Sequence, residues 1–102
     1  EFQDTSHTQF KLLELLTINW DMHDGRSMFL VGDPMQSIYR FRQADVGLFL
    51  KAKQQGIGKI KFEFAQLTTN FRSTAGVIEW INNVFTNSFP TMDNMVLGSI
   101  SY

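Results

Sequence analysis

Apolar positions change their spacing along this chain, and each change marks an expected element. Leu12, Leu13, Leu16 and Trp20 recur at helical spacing, with Lys11 and Glu14 opposite them. Ser6-His7-Thr8-Gln9 ahead of them has the form of a capping box, a Ser at the N-cap with a Gln three residues on. Together they predict a helix over about 7–19, followed by a polar loop from Asp21 to Ser27. Met28-Phe29-Leu30-Val31 is continuously apolar and is stopped by Gly32-Asp33-Pro34. An unbroken run of this length predicts a central, parallel strand covered on both faces. Residues 35–44 read as a polar and aromatic turn with one helical turn, and a helix over about 45–55 starts at Asp45 and stops at Gly56. Ile60, Phe62 and Phe64 alternate with Lys61 and Glu63, the period of a strand with one wet face. After the break at Thr68-Thr69-Asn70, Ser73 caps a helix over about 74–87. Its stripe is Val77, Ile78, Ile81, Val84 and Phe85, opposite Glu79, Asn82, Asn83 and Thr86. A loop around Pro90 and a short final strand complete the pattern.

Helix, strand, helix, strand, helix predicts an α/β fold with a mostly parallel sheet flanked by helices. Ligands of such sheets gather outside the carboxyl ends of the strands. Gly32-Asp33-Pro34-Met35-Gln36 falls at that place, so it is the first segment to inspect for chemistry.

Composition narrows the classes. The 102 residues suffice for one core. The absence of Cys excludes a disulfide scaffold and any Cys-ligated zinc or iron–sulfur site, and His7 and His23 alone argue against a His-built metal site. The apolar runs are too short to cross a membrane. The chain opens at Glu1 with neither an initiator Met nor a signal-peptide pattern, and we expect it to be an internal stretch of a longer cytoplasmic protein. A formal charge of −1 speaks against nucleic acid until its distribution is read. Residues 1–25 and 73–102 are acidic, whereas residues 26–72 carry eight Lys/Arg against three acids.

Three segments carry candidate chemistry. Glu1-Phe2-Gln3-Asp4-Thr5-Ser6 sets two carboxylates and an amide before a helix start; a solvated capping loop has the same composition. Val31 to Arg42 sets Asp33 and Gln36 at the expected sheet edge and then alternates Tyr39 and Phe41 with Arg40 and Arg42. Aromatics interleaved with guanidiniums suit single-stranded nucleic acid, where bases stack and phosphates pair. The alternative is one core aromatic beside surface arginines. Leu67-Thr68-Thr69-Asn70-Phe71-Arg72-Ser73 sets an Arg just before a helix, where it meets a phosphate or is an ordinary residue of a helix start.

In order and spacing, the three segments resemble motifs II, III and IV of superfamily 1 helicases of the UvrD/Rep type, over about residues 1–85. Gly-Asp-Pro-x-Gln with Ile-Tyr-x-Phe-Arg, the Phe-rich stretch 85–90 and the ending Gly98-Ser99-Ile100-Ser101-Tyr102 are most similar to the RecB/AddA helicase–nuclease branch. The resemblance implies a RecA-like fold, with about 1–70 closing a first motor domain and about 71–102 opening a second. It also implies ATP and Mg²⁺ as cofactors. Glu1 would then polarise the attacking water, and the Mg²⁺-holding Asp would directly precede it. Gln36 would sense the γ-phosphate, Arg72 would act as the arginine finger, and Phe71 would pack on the nucleotide base. Tyr39 and Phe41 would stack on single-stranded bases, with Arg42 on phosphate. Gln3 and Asp4, with Asp33, would support the coupling of nucleotide to DNA. The implied partners are single-stranded and duplex DNA, the rest of the helicase chain, and nuclease or helicase-complex subunits; no membrane partner is implied.

A phosphate-cradling loop, Gly-x-x-x-x-Gly-Lys-Ser/Thr, is missing. Gly56-Ile57-Gly58-Lys59-Ile60 lacks the hydroxyl residue after Lys59, and position 53 is Lys rather than Gly; it reads as a turn. The 102 residues alone should therefore not hydrolyse ATP, and their aromatic surface invites self-association. Two readings follow: part of an ATP-dependent DNA helicase, or an ATPase-dead nucleic-acid-binding or scaffold module of the same fold. The presence of Glu1, Gln36 and Arg72 argues against decay, and a phosphate loop encoded upstream would decide for the first.

Overall fold

A computed structural model describes residues 1–21 and 23–101. Met22, within the expected 21–27 loop, and Tyr102, at the end of the expected Gly98–Tyr102 signature, lie outside the described residues. Among the described residues, three α-helices are connected by irregular chain: α1 (His7–Leu16), α2 (Val46–Gln55) and α3 (Ala75–Phe85). Single 3₁₀ turns occur at Phe2–Asp4, Pro34–Gln36 and Arg40–Arg42.

The helix starts follow local chemistry. Ser6 and Gln9 form the expected capping box, each side chain bonding the other residue's backbone. Asp45 caps α2 by accepting from the Gly47 N–H at 2.8 Å. The same carboxylate meets His7 Nε2 at 2.7 Å, and Asp45 N donates to Thr5 O at 3.1 Å. The N-termini of α1 and α2 are thus tied together, with an isolated bridge between Ser6 and Ala44 beside them. Gly56 ends α2 as expected: at φ 83° a Cβ would lie 1.9 Å from Ile60 O. The following turn closes through reciprocal Ile57–Ile60 backbone bonds, so Gly56–Ile60 is a tight turn and not a phosphate cradle.

The core lies between α1 and α2. Phe10, Leu48, Ala52 and Ile57 are buried, with Phe2, Leu13, Met28, Leu30 and Phe62 packed against them. Leu50, at 1% exposure, is buried as well. The Phe2 ring sits 6.3 Å from Phe10 and 6.4 Å from Phe49, which anchors the N-terminal turn on both helices.

The mostly parallel sheet expected from the sequence does not form: the described residues contain only three isolated bridges and no strand. A strand exists through its ladder, and the Val31 carbonyl is instead taken by Phe2 N, from a 3₁₀ turn, at 2.9 Å. Nor is the run 28–31 covered on both faces. Met28 and Leu30 pack on the core while Phe29 is 90% and Val31 60% exposed, because only one packed layer lies against the run. The alternation at 60–64 holds for Ile60 and Phe62, which are half-buried between exposed Lys61 and Glu63, but no ladder accompanies it. Helix α1 ends at Leu16 rather than 19, and its buried residue is Phe10 while Leu12 and Leu16 are exposed. The N-cap of α3 is Thr74, not Ser73, and none of its residues is buried. The expected closing strand is a turn bridged at Asn94–Ser99. That turn lies on α2 so closely that a Cβ on Gly47 would come 2.5 Å from Met95 O.

Candidate functional site

Two of the three sequence segments meet. The Phe2–Asp4 turn, held on the core by Phe2, lies against Val31–Gly32. Close approach demands Gly32: a Cβ there would stand 2.8 Å from Gln3 Oε1 and 3.1 Å from the backbone nitrogens of Phe2 and Gln3. Across this contact Asp33 N donates to Gln3 Oε1 at 3.2 Å. Gln3 is buried, and its amide nitrogen donates to Asp4 Oδ2 at 3.1 Å. The Asp33 carboxylate caps the next turn, accepting from Met35 N at 3.0 Å and from Gln36 Nε2 at 2.7 Å. A polar chain therefore runs Asp4–Gln3–Asp33–Gln36 from the interior to the surface.

Ser37 is a residue that sequence reasoning passed over. Its hydroxyl lies 3.3 Å from Asp4 Oδ1 and 3.4 Å from Gln3 O, a second tie between the two segments. The only signal was a hydroxyl directly after Gln36. Beside Pro34, Met35 and Ser37 is a shallow cleft of about 360 Å³, closed on its other side by Phe89, Pro90 and Ile100. A hollow of about 490 Å³ along the exposed face of α1 touches none of the candidate residues.

Three residues past Ser37, the chain turns at Arg40–Arg42 and is reversed by Gln43 in the left-handed region at φ 65°. Tyr39 and Phe41 face one another with ring centroids 5.9 Å apart, tilted by 54°. Phe41 is 76% exposed. The Arg42 guanidinium lies 5.3 Å from the Tyr39 centroid and 5.5 Å from that of Phe41. An exposed aromatic pair bearing a cation offers both partners a nucleotide strand uses, a stacking face and a phosphate counter-charge.

The third segment stays apart. Asn70 Oδ1 accepts from Arg72 N at 2.9 Å and Ser73 N at 3.0 Å, so Asn70 shapes the turn before α3. Phe71 and Arg72 are exposed. Among the described residues, no hydrogen bond, ion pair or ring contact joins them to Gln36. Glu1 is likewise exposed. The described residues contain no group of three or more His, Asp or Glu able to hold a metal.

Comparison with known proteins gives the class. The UvrD/REP helicase N-terminal domain matches residues 1–56, and the chain belongs to this helicase family. Over 103 residues it is 43% identical to the exonuclease/helicase subunit RexA of Lactococcus lactis subsp. cremoris (strain MG1363). It is 44% identical to an ATP-dependent helicase/nuclease subunit of Streptococcus agalactiae serotype Ia over 105 residues, and to that of Streptococcus mutans serotype c over 103. Each match covers 100% of this chain and 8% of the relative, so the chain spans a small part of the length of these proteins. No solved structure matches it.

Proposed function

We propose that this chain is the part of an ATP-dependent DNA helicase, of the helicase–nuclease kind, that links the nucleotide site to single-stranded DNA. One observation carries the reading: the hydrogen-bonded run Gln3–Asp33–Gln36, followed within the same short segment by the Tyr39–Phe41 pair. Family membership and the helicase/nuclease names of the relatives support it.

The donors suit a nucleotide in chemistry, although the Arg72 segment stands apart from Gln36 in this structure. An exposed amide at Gln36 and an exposed guanidinium at Arg72 both suit phosphate oxygens. Gln36, Arg72 and Phe71 would hold ATP, with Glu1 beside the attacking water. ATP with Mg²⁺ supplies, when bound, the phosphoryl-transfer chemistry that drives the motor. The residues of this chain transmit its state. Gln36 donates to Asp33, Asp33 accepts and caps the turn, and Gln3 holds the Asp33 backbone from the interior. A change in what Gln36 bonds acts first on the Pro34–Gln36 turn, and would reach Tyr39, three residues on, through the short chain that leads into the separate Arg40–Arg42 turn. Stacking is worth about 1–3 kcal/mol per base, enough for a shift of these rings to change grip on a strand.

In the longer protein, stretches 28–31 and 60–64 would join a mostly parallel RecA-like sheet, their outer faces covered by chain beyond these residues. Residues 1–70 would close the first motor domain and 71–102 open the second. DNA, nuclease or complex subunits and a cytoplasmic setting follow from the same reading. Gln36→Ala in the full-length protein tests it: the fold stimulation of ATP turnover by DNA should be lost, over and above any fall in basal turnover. Undiminished stimulation sinks the coupling role. Arg72→Lys, which retains charge but not the planar fork, should lower turnover by on the order of 10³ or more.

A further inference from the structure

A second cationic surface lies at the C-terminal end of α2. Residues 51–61 contain Lys51, Lys53, Lys59 and Lys61 and no carboxylate. Lys51 is committed inward, 4.7 Å from the Phe10 ring centroid and 3.8 Å from Glu14 Oε1. The other three are exposed, and among the described residues none of them makes an ion pair.

Their placement is defined. Lys53 Nζ rests 4.3 Å from the centroid of Phe64, itself half exposed. Lys61 Nζ donates to Gln55 O at 2.5 Å, over the end of the helix. Lys59 stands in the turn closed by Ile57 and Ile60. Asp93 acts on Lys53 only at a distance, its Oδ1 being bonded by both Ser101 N and Ser101 Oγ at 2.8 Å. Glu63, two residues past Lys61, is the other nearby acid. Interaction with the helix dipole accounts for Lys61 at the last carbonyls, but Lys59 stands beyond them.

We propose that Lys53, Lys59 and Lys61 form a nucleic-acid backbone contact, separate from Tyr39–Phe41, that binds phosphates without reading bases. The proposal rests on the reading that the protein works on DNA. Ammonium groups on flexible stems bind phosphate as point charges. The Phe64 face already carries Lys53, so the surface offers charge rather than a stacking platform.

The test is fluorescence anisotropy of the full chain with an oligothymidylate of about 20 nucleotides and an abasic strand of equal length, between about 50 and 200 mM salt. With Lys53→Gln, Lys59→Gln and Lys61→Gln combined, the slope of log affinity against log salt should fall by about 2 for both strands, three contacts at about 0.7 each. An unchanged slope overturns the proposal. So does competition by polyglutamate as effective as that by DNA at equal charge, which would assign the surface to an acidic protein. If the triple variant alters the circular dichroism spectrum, Lys59→Glu in the exposed turn decides alone: a slope lower by at least about 0.7 supports the contact and no change refutes it. Tyr39→Ala with Phe41→Ala separates the two readings. It should weaken thymidylate binding and spare the abasic strand. If it changes neither while the lysine variants flatten the slope, stacking fails and the lysine contact stands.

Discussion

Replacing Gly32 by Ala perturbs the joint between the N-terminal turn and the Asp33 turn with a single methyl group. The new Cβ would fall 2.8 Å from Gln3 Oε1 and 3.1 Å from both Phe2 N and Gln3 N. The Gln3 side chain can retreat, but only by giving up the 3.2 Å bond from Asp33 N. The backbone nitrogens cannot retreat without lengthening the 2.9 Å Phe2 N–Val31 O bond. Overpacking costs about 1–3 kcal/mol, and one lost hydrogen bond adds about 0.5–1.5. The expected loss is about 2–4 kcal/mol, or a melting midpoint lower by roughly 10 °C or more for a domain of this size. Urea and thermal denaturation followed by circular dichroism measure it. Gly76→Ala is the matched control. It lies in the first turn of α3 with nothing within 4 Å of its would-be Cβ, so it should stabilise by up to about 1 kcal/mol. A Gly32→Ala loss below about 0.5 kcal/mol would refute the claim that the two segments are locked by close approach.

Two further outcomes follow from the same geometry. Gly56→Ala combines a left-handed φ of 83° with a Cβ 1.9 Å from Ile60 O, and should cost about 3 kcal/mol or more in the same denaturation assay. Arg26 donates its side-chain N–H to Asp24 (Nε at 2.8 Å), and the backbone N–H groups of Asp21 and Arg26 add to this. Together they hold the Asp24 carboxyl well below its usual range. A depressed folded value means that the stabilisation is present above the ordinary carboxylate range and is lost as pH falls through the folded value. Carboxyl-carbon NMR should show Asp24 still ionised where ordinary Asp residues have protonated. Arg26→Gln should move it part of the way back toward the ordinary range, the backbone N–H bonds of Asp21 and residue 26 remaining; an unmoved titration would show that the Arg26 side chain is not the main cause.

The parts legible in the sequence were those decided within a few residues. The Ser6–Gln9 box and the Asp45 cap each depend on a side chain and a backbone group at most three positions apart, the Gly56 stop depends on a backbone bond to Ala52 four positions back, and all three formed. The sheet was not legible in this way. A run such as Met28–Val31 states that its residues are apolar, but a ladder needs a second strand, and whether two faces or one are covered depends on distant chain. The polar site falls between these cases. Asp33 to Gln36 is a local capping contact, whereas Gln3 to Asp33 spans thirty residues and became visible only through the close approach at Gly32. Ser37 was missed for the same reason, since its two acceptors lie at residues 3 and 4.

Helix α3 and the Tyr39–Phe41 turn both leave aromatic and aliphatic surface exposed, and the two exposures differ in kind. In α3 the apolar residues keep a helical period, with Trp80 64% exposed and Ile78 and Ile81 half-buried, and its last residue, Phe85, makes an edge contact with Phe89 at 5.6 Å. Such a stripe defines a face to be covered and is indifferent to what covers it, as Leu48 and Ala52 of α2 show by finding Phe10 and Ile57 within the chain. Tyr39 and Phe41 follow no helical period. Tyr39 opens a 3₁₀ turn and Phe41 lies within it; the pair carries the Arg42 guanidinium and joins by short chain to a carboxylate–amide pair. Covering them with ordinary core would desolvate Arg42 without a partner, at a cost that apolar contact does not offset. A ligand carrying both a flat face and a negative charge avoids that cost, which is why this turn, and not the larger apolar face of α3, is the one proposed to meet the strand.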